Sequence, residues 1–161
     1  MQISLFCVGR LKAGPERELV GRYLDRLEKT GPQCGIAFSG VTEIVESRAA
    51  TADARKSEES ARCRELLAGA RTTLLLFDER GKNLTSRQFA AQIGELRDQG
   101  TQKLVAAIGG PDGHEQALAQ DAHMNISLGK LTWPHQIARV LVAEQLYRAS
   151  AILNNHPYHR D

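Results

Sequence analysis

Apolar positions recur along this chain in two alternating rhythms, one of period two or unbroken, the other near 3.6. Residues 3–8 are an apolar, β-prone run ending at Gly9, which predicts a buried strand. Over 15–29, Leu19, Val20, Tyr23, Leu24 and Leu27 recur at helical spacing among charges, with Pro15 suited to a first turn and Gly31 to a stop. Residues 36–45 read as a second strand bent at Gly40, and 53–67 as a charged helix of shallow packing. The continuous apolar run 72–77 predicts a strand covered on both faces, followed by a turn over 78–82. Thr85 with Gln88 forms a capping-box signature for a helix over 86–98. Residues 103–108 predict another buried strand, which breaks into Gly109, Gly110, Pro111, Asp112 and Gly113. A short helix over 114–119, a short strand over 124–128, a last helix over 134–153 and a polar tail complete the chain. Strands alternating with helices predict an α/β fold with a mostly parallel sheet. Without repeat, low-complexity tract or linker, residues 1–161 read as one compact domain.

Composition narrows the class without naming the chemistry. The 161 residues suffice for a core, and 42% hydrophobic with 25% charged residues is a globular balance. No apolar run approaches the roughly 18 residues of a membrane span. The N-terminus lacks a basic stretch and a small-residue cleavage site, so it reads as a strand rather than a signal peptide. Cys7, Cys34 and Cys63 are odd in number and widely spaced, which argues against a disulfide framework and a zinc cluster and for reduced thiols in the cytoplasm. A formal net charge of +2 does not by itself indicate nucleic-acid binding.

Four segments are candidates for chemistry. The 109–113 loop leaves the carboxyl end of a strand, where ligands bind in open α/β sheets, and its glycines let backbone approach a ligand; the alternative is a tight turn without one. It is neither a P-loop nor G-x-G-x-x-G. In the second segment, 128–135, Pro134 is set for a helical first turn that carries His135, either a polar contact to a ligand or a capping residue. The third, the last helix, is apolar on nearly all sides, which fits full burial or packing against another chain; Arg139 lies one turn from His135 on the same face, and Glu144 with Arg148 can form an i,i+4 ion pair. The fourth, the tail 154–161, carries His156, Tyr158, His159 and Arg160, which can stack on bases and contact phosphate, or else it is a solvated end; Pro157 disfavours helix at His156, which predicts a tail that leaves the helix extended.

Taken in order, Ile-Gly-Gly-Pro-Asp-Gly (108–113), Ser-Leu-Gly-Lys-Leu-Thr-Trp-Pro-His (127–135), Arg139, Ala-Glu-Gln-Leu-Tyr-Arg-Ala (143–149) and Asn-His-Pro-Tyr-His-Arg (155–160) resemble one family. This is the bacterial large-subunit ribosomal RNA pseudouridine methyltransferase H family of the SPOUT superfamily. The resemblance covers the whole chain and is most specific over 74–161. Phe77 stands where the family often has Leu, Gly129 where Ser is common, Trp133 where Leu or Phe is usual, and Asp161 where Glu is frequent.

The resemblance implies a compact α/β domain with a C-terminal trefoil knot. It implies S-adenosyl-L-methionine in the knot, at Phe77, Gly109, Leu128, Gly129, Lys130, Leu131, Thr132 and Trp133, and no metal. It implies methylation at N3 of a pseudouridine in 23S ribosomal RNA within the assembled ribosome, by a homodimer whose active site is completed across the interface. The candidates for substrate placement and electrostatics are His135, Arg139, Tyr158, His159 and Arg160. Two other readings stay open: a SPOUT enzyme acting on tRNA, and a non-catalytic RNA-binding module.

Overall fold

The computed structural model describes residues 1–159. Its centre is one five-stranded sheet in the order β2-β1-β4-β3-β5, built from β1 (Gln2–Val8), β2 (Ala37–Ile44), β3 (Thr72–Asn83), β4 (Lys103–Ile108) and β5 (Met124–Ser127). Every pairing is parallel, so the mostly parallel sheet expected from the sequence is wholly so. Parallel neighbours need crossovers, and the helices α1 (Pro15–Thr30), α2 (Ala52–Glu65), α3 (Ser86–Asp98), α4 (Gln116–Asp121) and α5 (His135–Leu153) provide them or cover the sheet.

The strands are apolar on both faces because both are covered. Ile3, Leu5, Cys7, Leu75, Phe77, Leu104, Ala106 and Ile108 face α1, α3 and α5. Phe6, Val8, Leu74, Leu76, Val105 and Ala107 face the other way, toward Cys63 of α2 and Leu118 of α4. The alternation follows the period-two pleat. As its composition predicts, α2 buries little: Glu59, Ser60 and Cys63. The capping box at α3 forms, with Gln88 N–H donating to Thr85 Oγ1 and Thr85 N–H donating to Gln88 Oε1. The bend expected at Gly40 is a bulge in the β1–β2 register.

Three elements differ from the sequence reading. A 3-10 turn over Gly31–Cys34 follows α1. Residues 78–82 do not end their strand: β3 pairs with β5 at Phe77, leaves the ladder, and pairs with the same residue, Ile126, again at Lys82. On its return the chain crosses β5 so closely that a Cβ at Gly81 would stand 2.5 Å from the backbone of Ile126, a contact no other residue could make. The third is the tail, which folds back onto α5.

Candidate functional site

The carboxyl ends of β3, β4 and β5 open into a cavity of about 390 Å³, the edge at which parallel α/β sheets bind ligands. Each strand hands one segment to it. Phe77, Asp78 and Arg80 come from β3, the loop 109–113 follows β4, and 127–135 follows β5. The first turn of α5 closes it with His135 and Ala138.

The loop after β4 is anchored from behind by α2. Arg55 grips Asp112 with two parallel bonds, Nε–H to Oδ2 at 2.7 Å and Nη2–H to Oδ1 at 3.0 Å. Arg64 pairs with Glu115 at 2.8 Å, and Glu115 N–H donates to Ser60 Oγ. The loop closes on itself tightly. A Cβ at Gly109 would meet the Gly113 carbonyl carbon at 3.0 Å and His114 Cε1 at 3.2 Å, so Gly109 allows the loop to fold and thereby shapes the cavity wall.

The segment after β5 is held by Ser127, whose hydroxyl accepts from Gly129 N–H at 3.2 Å and donates to Gly129 O at 2.8 Å. Gly129 has φ +127°, where a side chain is strained, and a Cβ there would find no protein atom within 4 Å. Gly129 lines the cavity, so this open space adjoins it. Beyond it Leu131 and Trp133 stand 72% and 41% exposed at the mouth, an unusual placement for large apolar side chains.

The chain's end is fastened to α5. Asn155 adopts φ +53°, His156 N–H donates to Ala151 O and Asn155 N–H to Ile152 O, a Schellman closure that turns the backbone around. Tyr158 then packs on Tyr147 with ring centroids 4.6 Å apart and donates its hydroxyl to Glu144 at 2.9 Å. Arg148 lies 4.7 Å over the Tyr158 ring, is paired with Glu144 at 2.5 Å, and meets His159 Nδ1 at 3.3 Å. Burial and the bond to Glu144 push the Tyr158 hydroxyl pKa well up, so it stays a neutral donor.

A family model described as "Predicted SPOUT methyltransferase" matches residues 1–159. This chain belongs to the SPOUT methyltransferase family. It is 59% identical over 160 residues to a protein of Brucella anthropi named "Ribosomal RNA large subunit methyltransferase H", covering 99% of each. Proteins of that name from Brucella abortus strain S19 and Brucella melitensis biotype 2 are 56% and 54% identical over 168 and 173 aligned positions, again covering 99% of each chain. A structure described as that of a probable methylase family protein from Haemophilus influenzae Rd KW20 has the same fold, with TM-score 0.56 at 11% identity, covering 99% of this chain and 70% of that one.

Within this SPOUT domain the residues singled out from sequence separate by where the fold places them. Phe77, Gly109, Leu128, Gly129, Leu131, Thr132, Trp133 and His135 all line the cavity. Lys130 lies in the same loop without lining it. Arg139, placed on the His135 face by helical spacing, goes elsewhere. It is 1% exposed, paired with Glu43 at 2.5 Å and donating to Val8 O at 2.7 Å and to Gly9 O. It ties α5 to the ends of β1 and β2 and does not face the cavity. Tyr158 and His159 fold back alongside the second half of α5, against Glu144, Tyr147 and Arg148, instead of leaving the helix extended as Pro157 suggested, and neither lines the cavity of its own chain. Arg160 lies outside the described residues. The sequence reading passed over Asp78, Arg55 and Asp112 as site residues. Position was the available signal for Asp78, which directly follows the buried end of a parallel strand.

Proposed function

We propose that this chain is an S-adenosyl-L-methionine-dependent methyltransferase acting at N3 of a pseudouridine in 23S ribosomal RNA, on the assembled ribosome, as a cytoplasmic homodimer. The names of relatives that match the full chain at 54–59% identity support the reaction class and the large-subunit substrate. The observation that carries the cofactor assignment is the cavity at the ends of β3, β4 and β5. It has the size of a ligand pocket, apolar walls at Phe77, Leu128 and Trp133, and open space where a side chain at Gly129 would stand. The close crossing of Gly81 over β5 supports the knot that the resemblance implies. No helix among the described residues is long and apolar enough to cross a membrane.

Bound there, the cofactor supplies a methyl group on a cationic sulfonium. The protein's part is to align the acceptor nitrogen, exclude water and assist loss of the N3 proton. His135 is placed at the cavity mouth for substrate contact. Tyr158, His159 and Arg160 belong to the tail, which in this reading serves the cavity of the other subunit. Arg139 acts by fixing the N-terminal half of α5. The tail argues for ribosomal over transfer RNA, and the intact loops 109–113 and 127–135 argue for an enzyme over a binding module. The deciding experiment is methyl transfer to ribosomes that carry or lack the target pseudouridine. Transfer only to the former is expected, and equal transfer to both, or transfer to tRNA instead, overturns the reading.

A further inference from the structure

The cavity contains a carboxylate whose surroundings are built for a cation that the protein does not itself provide in full. Asp78 follows the buried end of β3, and its side chain is 9% exposed. Its nearest cation, Arg80, is 76% exposed, and its Nε–H reaches Asp78 Oδ1 at 3.2 Å. The Arg80 backbone N–H donates to that same oxygen at 2.9 Å. Both contacts therefore fall on Oδ1. Oδ2 is turned toward the glycine loop, 3.7 Å from where a Cβ on Gly113 would be. The other cavity carboxylates differ: Asp112 is engaged on both oxygens by Arg55, and Glu79 is exposed. Burial alone would push the Asp78 carboxyl up, but the Arg80 bonds and charge, with His114 contributing least, outweigh it and hold the group below the usual carboxylate range.

We propose that Asp78 is a specificity-determining residue whose Oδ2 faces the positively charged methionyl portion of the methyl donor. The proposal rests on the reading of this cavity as the S-adenosyl-L-methionine site. A buried carboxylate with one free oxygen gains most from a cation in a site that excludes water, and little from a neutral group of the same shape. The donor has two such cations, the sulfonium and the α-ammonium. The demethylated product, S-adenosylhomocysteine, keeps only the ammonium, and 5′-methylthioadenosine has neither. Asp78 thus separates the charged methionyl end from the adenosine, which the backbone of 128–133 and Phe77 would hold without charge.

Calorimetric titration of the purified protein with the three ligands tests this, using Asp78→Asn beside wild type. Glu79→Gln, an equal charge change at an exposed cavity position, serves as the control. We expect Asp78→Asn to weaken the donor by about tenfold or more, the scale of a lost charge-assisted contact, and to leave 5′-methylthioadenosine within about twofold. If the sulfonium is the partner, the product keeps its wild-type affinity; if the ammonium is, donor and product weaken together. Either result supports the role. Unchanged donor affinity overturns it, as does equal weakening of all three ligands or an equal effect of Glu79→Gln. Thermal melting of each variant identifies a folding defect, and Asp78→Glu, which keeps the charge, is expected to retain more donor affinity than Asp78→Asn in a folded protein. Failure of the wild-type protein to bind any of the three would count against the cofactor site itself, independently of Asp78.

Discussion

Arg139 illustrates how a single side chain can be read correctly in type and wrongly in direction. Its position four residues after His135 puts both on one face of α5, but the guanidinium extends across the ends of β1 and β2, where two backbone carbonyls and Glu43 take its protons. Nη1 and Nη2 are engaged while Nε is buried without a hydrogen-bond partner, and removing the side chain strands the acceptors it serves. Arg139→Ala is therefore expected to lower unfolding free energy by about 3 kcal/mol in urea titration. A loss below about 0.5 kcal/mol, with transfer activity abolished, would return Arg139 to the substrate side. The cysteines give a second test at this scale. Burial raises the Cys7 and Cys63 thiols from 9.0 to about 12. A thiol pKa raised by folding favours the protonated folded state, so this contribution is intact below about pH 9 and lost as pH climbs from there toward 12. At pH 8 a thiol reagent should leave both untouched in native protein and modify them rapidly in denaturant. Fast native labelling of either would contradict their burial.

At the scale of elements, the helices and strands were legible because burial enforces a period and the caps are local. The 86–98 helix emerged with its capping box because Thr85 and Gln88 satisfy one another within one turn. Lys82 and Gly81 were misread as a turn because their partner, Ile126, lies more than forty residues away, and a chain that leaves a ladder and rejoins it shows no local sign. The same holds for the cavity: Gly109 and Gly129 are visible as loop glycines, whereas the Arg55–Asp112 clasp needs α2 and the loop to be neighbours. Pro157 suggested an extended tail, yet the αL conformation at Asn155 precedes it and decides the direction. The tail is thus an element docked on α5 through Tyr147, Glu144 and Arg148, and it can be removed without disturbing the cap. Deleting residues 157–161 should leave donor affinity within about tenfold, since none of the described tail residues lines the cavity. Transfer to ribosomes should fall by about a hundredfold or more, as for loss of a positioned acid–base group. Near-normal turnover would make the tail a mere terminus.

The whole molecule poses a distance problem that one copy of the chain does not solve. His135 and the cavity lie at the start of α5, whereas Tyr158 and His159 dock against Glu144 and Arg148, about 14 and 20 Å further along the helix at 1.5 Å per residue. Most of the apolar surface of α5 is covered within the chain by α1 and α3, through Val142, Ala143, Leu146 and Tyr147. Near the cavity Ile137, Val140 and Leu141 stay half-buried, as Ile152 and Leu153 do at the other end, and Leu131 and Trp133 are exposed at the cavity mouth. A two-fold pairing over the patch near the cavity would bury it and could bring each tail to the other subunit's cavity. Complementation tests this arrangement directly. Two inactive variants, Gly129→Val with an intact tail and a 157–161 deletion with an intact cavity, are co-expressed with different tags. If the tail serves the partner's cavity, a mixed dimer has one complete site. With random pairing, half the dimers are mixed and each has one of two sites working, so activity should return to about a quarter of wild type. If the tail serves its own cavity, no dimer contains a complete site and mixing recovers nothing. A monomer mass by light scattering at micromolar concentration would remove the premise.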